Sequence, residues 1–196
     1  MLNQANLGLI FLSAFLVNNI LLIKFLGLCS FFGLSKDIKS SIGMGLAVIF
    51  ATVMACCLSW AVYNLLLLPL HLEYLRTATF ILTIASFVQF EEIIIRKKLP
   101  VLYKAFGIYL PLITTNCAIL ACAFLGVDYK LSFIQNIVFS IALPAGYALA
   151  IILFASIREK IDVAPLPEVF KGAPIAFITA GLMSLAFLGF KGLFKL

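Results

Sequence analysis

The chain has 196 residues, of which 64% are hydrophobic and 11% charged, with a net charge of +6 and a mean hydropathy of +1.19. Soluble domains carry about 25% charged residues, so this composition excludes a soluble enzyme and implies an integral membrane protein with room for roughly six spans of about 20 residues. The positive charge does not signal nucleic acid, because the basic residues fall in short loops between apolar runs and act as topology signals.

In chain order the apolar runs are Ala5 to Leu34, Ser41 to Leu68, Thr77 to Ile95, Leu99 to Val127, Leu131 to Ile157 and Ala173 to Phe190. Proline and charge separate them: Pro69, His71, Glu73 and Arg76 between the second and third, Arg96, Lys97, Lys98 and Pro100 between the third and fourth, and a polar loop with Pro165, Pro167 and Pro174 between the fifth and sixth. Met1 to Leu9 has no basic start and no small-residue cleavage site follows, so the first run is expected to stay as a span. Loops one, three and five hold nine lysines and arginines against four on the side of the termini. The positive-inside rule therefore predicts cytoplasmic odd loops, with both termini on the outer side of the membrane. Lys24, left over by this count, is read as snorkelling to the interface, with an internal site as the alternative.

The first and fourth runs approach 30 residues, about 45 Å as straight helix where the hydrocarbon is about 30 Å thick. Gly27, Ser30 and Gly33 surround Cys29 in the first; Pro111, Thr114, Thr115 and Asn116 precede Cys117 in the fourth. Both runs are expected to break there. The fold reads as all-α, six transmembrane helices in two three-helix repeats, 1–98 and 99–196, the second inverted by the odd number of spans. Interrupted helices at matching positions of inverted repeats place a site near the bilayer midplane. Other spans read as scaffold. Gly43, Ala47, Ala51, Ala55 and Ser59 in the second, and Gly172, Ala176, Ala180 and Ser184 in the sixth, recur every fourth residue and form close-packing faces. Pro144 and Gly146 suggest a kink in the fifth.

The five cysteines are an odd number, all in apolar sequence, so a disulfide scaffold is not expected. Cys29 and Cys117 stand one at each break. Thiolates hold iron–sulfur clusters and soft metals, but a free cysteine is also a small buried hydrophobe, and the residues alone leave both readings open. Two thiolates make half of a four-thiolate site, to be completed by this chain or by a second subunit. Cys56 and Cys57 point about 100° apart on a helix and, with Cys122, read as core. Asn18, Asn19, Thr114, Thr115 and Asn116 are polar groups inside apolar runs; they either hydrogen-bond between helices or support the broken backbone and line an ion path. Glu92 stands four before Arg96, the spacing of a helical ion pair. No nucleotide-binding glycine loop, zinc-protease motif or Ser/His/Asp grouping occurs, so no complete active site is expected on this chain alone.

The stretches LVNNILLIKFLGLC, MGLAVIF, LPVLYKAFGIYLPLITTNCAIL, IREK and ITAGLMSLAFLGF resemble the A-type subunits of the Rnf complex, the ion-translocating ferredoxin:NAD oxidoreductase of bacteria, a family that also includes membrane subunits of the sodium-pumping NADH:quinone reductase. The resemblance spans nearly the whole chain. It implies a translocase component that shares an intramembrane 2Fe–2S cluster with the homologous E-type subunit, with Cys29 and Cys117 as this chain's two iron ligands. It further implies the B-, C-, D- and G-type Rnf subunits as partners, Na⁺ or H⁺ as the coupled ion, and electrons relayed from ferredoxin-facing components toward outer flavin carriers. No threonine here sits in a Ser-Gly-Ala-Thr-like context, so no flavin is expected on this chain. The competing readings are a cofactor-free inverted-repeat transporter and a component that serves assembly alone.

Overall fold

The computed structural model describes residues 7–35, 38–70, 73–98, 116–163, 167 and 172–194. All regular structure among them is helical. The chain opens with α1 (Leu7–Leu12), which runs into a π turn at Ser13–Val17. There the helix stops. Asn18 N donates to Ser13 O at 2.7 Å, and the next regular element, α2 (Leu28–Leu34), starts only after Gly27. The first apolar run is thus not one helix but two short ones joined by turns.

Backbone freed from helix in a membrane protein needs internal partners, and the turns supply them. Asn19 is fully buried; its Oδ1 accepts from Leu21 N (3.1 Å) and Leu22 N (3.4 Å), and its Nδ2 donates to Gly146 O at 2.9 Å. Ser184 Oγ donates to Leu22 O at 2.6 Å. Leu26 N reaches back to Ile20 O at 3.2 Å. Gly27 turns the chain with φ of +85°, a conformation open to glycine and strained for other residues. Lys24 falls in this segment and is exposed, rather than lying far down a straight helix.

The long helix α3 (Ile38–Val62) continues through a π turn at Tyr63–Leu67 into the single turn α4 (Leu68–Leu70). After a 3₁₀ turn at Glu73–Leu75 comes α5 (Arg76–Lys98), followed by α6 (Cys117–Asp128), α7 (Phe133–Val163) and α8 (Ala173–Phe194). The expected break at Pro111, Thr114 and Thr115 lies outside the described residues, as do the side chains of Glu92 and Arg96. Among the described residues, Ser40–Leu67 and Phe133–Ile161 are long and apolar enough to cross a bilayer.

α7 is the mast of the molecule, packed most extensively against α3 and also against α1 and its π turn. Small residues make this possible. A Cβ on Gly45 would stand 2.8 Å from Ala148 Cβ, and one on Gly146 only 2.5 Å from Phe15 O. In α3, Ala51, Ala55 and Ser59 are buried as their four-residue spacing predicts, and Gly45, off that stripe, makes the close approach to Ala148. Ala176, Ala180 and Ser184 of α8 are likewise buried, whereas Gly172 stands outside the helix, exposed, with φ of +92°. α7 stays helical through Pro144. Its start is fixed by Ser132 N donating to Gln135 Oε1 at 3.1 Å, one half of a capping box. Near its end, Arg158 Nη1 donates to Phe32 O (3.3 Å) and Ser35 Oγ (3.1 Å). A cation there satisfies the open carbonyl end of α2 and complements its dipole. Large apolar side chains point outward, Leu46, Leu82 and Leu185 each at least 65% exposed, which suits lipid rather than water.

Candidate functional site

The interruption between α1 and α2 faces the start of α6, and the two are tied by one bond. Gly27 N donates to Cys117 Sγ at 2.9 Å, joining residues 90 apart in sequence. The left-handed turn at Gly27 aims its N–H outward from the chain's own path. A side chain there would meet Asn116 Oδ1 at 3.2 Å, Tyr147 Cε2 at 3.3 Å and Ala118 Cβ at 3.4 Å. Only glycine fits comfortably.

Asn116 caps α6, its Oδ1 accepting from Ala118 N at 3.1 Å. That bond also fixes which end of the amide is nitrogen. The Nδ2 is left buried with no hydrogen-bond partner, although it lies beside Tyr147. Such an orphan is rare in native interiors and asks for an acceptor. On the α2 side, Ser30 Oγ donates to Gly27 O at 2.9 Å and lies 2.7 Å from Tyr147 Oη. Cys29 directly precedes Ser30, whose hydroxyl bonds Gly27 O, while Gly27 N meets Cys117 Sγ, so both cysteines adjoin the Gly27 turn. Cys29 is exposed and Cys117 half-buried.

The other three cysteines sit elsewhere. Cys56 and Cys122 are buried against each other between α3 and α6, and Cys57 is half-buried. The Asn18 side chain donates to Ser13 Oγ at 3.4 Å, and that of Asn19 makes the backbone bonds already described. Asn116 is at the cysteine site; Thr114 and Thr115 lie outside the described residues. A separate cavity of about 390 Å³, lined by Trp60, Tyr63, Asn64 and Lys130 among others, contains none of the cysteines.

Sequence reasoning missed Tyr147. The available signal was a hydroxyl in the middle of an apolar span, which when buried needs a partner; Tyr147 is fully buried. Among the described residues no three His, Cys, Asp or Glu side chains cluster tightly enough to hold a metal ion. Two thiols, one accepting from a backbone N–H and the other exposed, are chemically suited to supply two of the thiolates of a four-thiolate cluster.

These features define an all-helical membrane protein with a polar, cysteine-bearing site built at an interrupted helix. The chain belongs to the Rnf-Nqr subunit family of membrane proteins, whose family model matches residues 7–194. It is 52% identical over 187 residues to the A-type subunit of the ion-translocating oxidoreductase complex of Yersinia enterocolitica, covering 95% of this chain and 97% of that protein. The corresponding proteins of Yersinia pseudotuberculosis and Vibrio vulnificus are 53% and 52% identical, each with the same coverage.

Proposed function

We propose that this chain is the A-type membrane component of an ion-translocating ferredoxin:NAD oxidoreductase complex, carrying electrons across the bacterial inner membrane. In this reading Cys29 and Cys117 provide two of four thiolates to a 2Fe–2S cluster shared with the homologous E-type subunit. The bound cluster would supply a one-electron site inside the hydrocarbon, dividing a layer about 30 Å thick into two shorter electron transfers. Everything else is done by this chain's own residues. Gly27 N–H holds the Cys117 sulfur and stabilises negative charge on it. Asn116 sets the direction of α6 and hence where Cys117 stands. Cys29, exposed on the single chain, is positioned to meet a partner.

The observation that carries this reading is the bond from Gly27 N to Cys117 Sγ. It links the segment of one thiol to the sulfur of the other across the fold, an arrangement a core cysteine does not need. The two inverted halves, 1–98 and 99–196, with both termini outside, would then rock about the site and couple electron flow to Na⁺ or H⁺. The experiment is iron analysis and spectroscopy of this chain purified with its E-type partner. Visible absorbance and a paramagnetic signal in the reduced state, both lost with Cys29→Ser, are expected. Colourless, iron-free protein that binds a small solute would overturn the proposal.

A further inference from the structure

The hydroxyls at the site form a chain with a fixed direction. Ser30 has one proton, and it goes to Gly27 O at 2.9 Å. At the 2.7 Å contact between Ser30 Oγ and Tyr147 Oη, Tyr147 is therefore the donor. Gly27 O also accepts from Phe31 N at 3.2 Å. The Gly27 residue is thus gripped on its carbonyl by Ser30, backed by Tyr147, while its N–H rests on Cys117 Sγ at 2.9 Å. Both hydroxyl residues are fully buried, so no water competes for these bonds, and in a low-dielectric interior each bond strengthens the next.

We propose that Tyr147 is a positioning residue that, through Ser30, keeps the Gly27 N–H on the Cys117 sulfur and so raises the reduction potential of the site. The inference rests on the ligand role proposed above for Cys29 and Cys117. Its physical basis is general. Reduction adds negative charge that spreads onto the sulfurs, and N–H donors to those sulfurs stabilise the reduced form. A loop free to swing its N–H away gives up that stabilisation, and α7 supplies the brace that prevents it.

The test is a dithionite titration of the purified complex followed by the paramagnetic signal, with iron content measured in parallel. Tyr147→Phe keeps the ring and its packing while removing the hydroxyl, and Ser30→Ala removes the link. Each is expected to lower the midpoint by a three- to tenfold change in the reduction equilibrium, about 59 mV per tenfold for one electron, at unchanged iron content. The double variant should shift no further than the larger single one, because both break the same chain. Tyr129→Phe, on a ring that meets Phe139 instead, should leave the midpoint alone. An unchanged or raised midpoint in both single variants, additive shifts, or loss of iron from both would overturn the inference while leaving the cysteine ligands in place. Wild-type complex without iron would instead remove the ligand reading and this inference with it.

Discussion

Replacing Gly27 by alanine tests the architecture of the site most directly. At φ of +85° an L-residue carries about 1–2 kcal/mol of backbone strain. The new methyl would also press on Asn116 Oδ1 at 3.2 Å and on the edge of the Tyr147 ring at 3.3 Å. Neither can retreat freely, since Asn116 is held by Ala118 N and Tyr147 by Ser30. Weakening the Asn116 cap costs about a further 1 kcal/mol. The sum, roughly 2–3 kcal/mol, corresponds to a fall in Tm of about 4–12 °C for a chain of this size. The emission of Trp60, the single tryptophan, followed during heating in detergent, reads it out. The parallel change Gly181→Ala has nothing within 4 Å of the new methyl and should be neutral or stabilising by about 0.5–1 kcal/mol, because alanine suits a helix better. If Gly27→Ala melted with the wild type and kept its iron, the claim that a left-handed glycine builds the site would be wrong.

Four further outcomes are expected. Asn19→Ala should destabilise by roughly 2–3 kcal/mol, because it strips hydrogen bonds from Leu21 N, Leu22 N and Gly146 O at once; denaturant titration in detergent checks this. Gly146→Ala should lose about 1–3 kcal/mol, since its methyl would strike the Phe15 carbonyl at 2.5 Å and backbone yields little; recovery of folded protein after a heat step would show it. Asp128→Asn breaks the ion pair with Arg76 at 2.7 Å, but with side chains 28% and 49% exposed the loss should stay below about 1 kcal/mol by thermal melting. In proteoliposomes, a Cys29→Ala/Cys117→Ala complex should no longer move Na⁺ or H⁺ when given ferredoxin and NAD; pumping at the full rate would end the coupling idea.

Several features are legible without the tertiary structure because they depend on local chemistry. Membrane class follows from composition, and an interruption in the first run follows from its length and Gly27; its place does not, since it runs from Asn18 to Gly27 while Cys29, Ser30 and Gly33 are helical in α2. The buried faces of α3 and α8 follow from four-residue spacing, which places residues on one side of any helix. Gly45 and Gly146 are harder. Their importance lies in what the neighbouring helix presents, Ala148 in one case and the Phe15 carbonyl in the other, and no spacing within one helix encodes that.

By itself, then, the sequence determined that this is a helical membrane protein of a particular family, and which two cysteines stand beside helix-breaking residues. Hydropathy, glycine and proline placement and short motifs such as FLGLC and PLITTNCA are written along the chain and need no partner to be read. The tertiary structure alone decided that Gly27 N meets Cys117 Sγ, that Ser30 bonds both Gly27 O and Tyr147, and that the Asn19 side chain bonds backbone groups of two segments. Those are contacts between residues up to 127 positions apart, fixed by how α7 packs against the interrupted first run, and hydrogen-bond geometry at such range exists only once the helices are assembled.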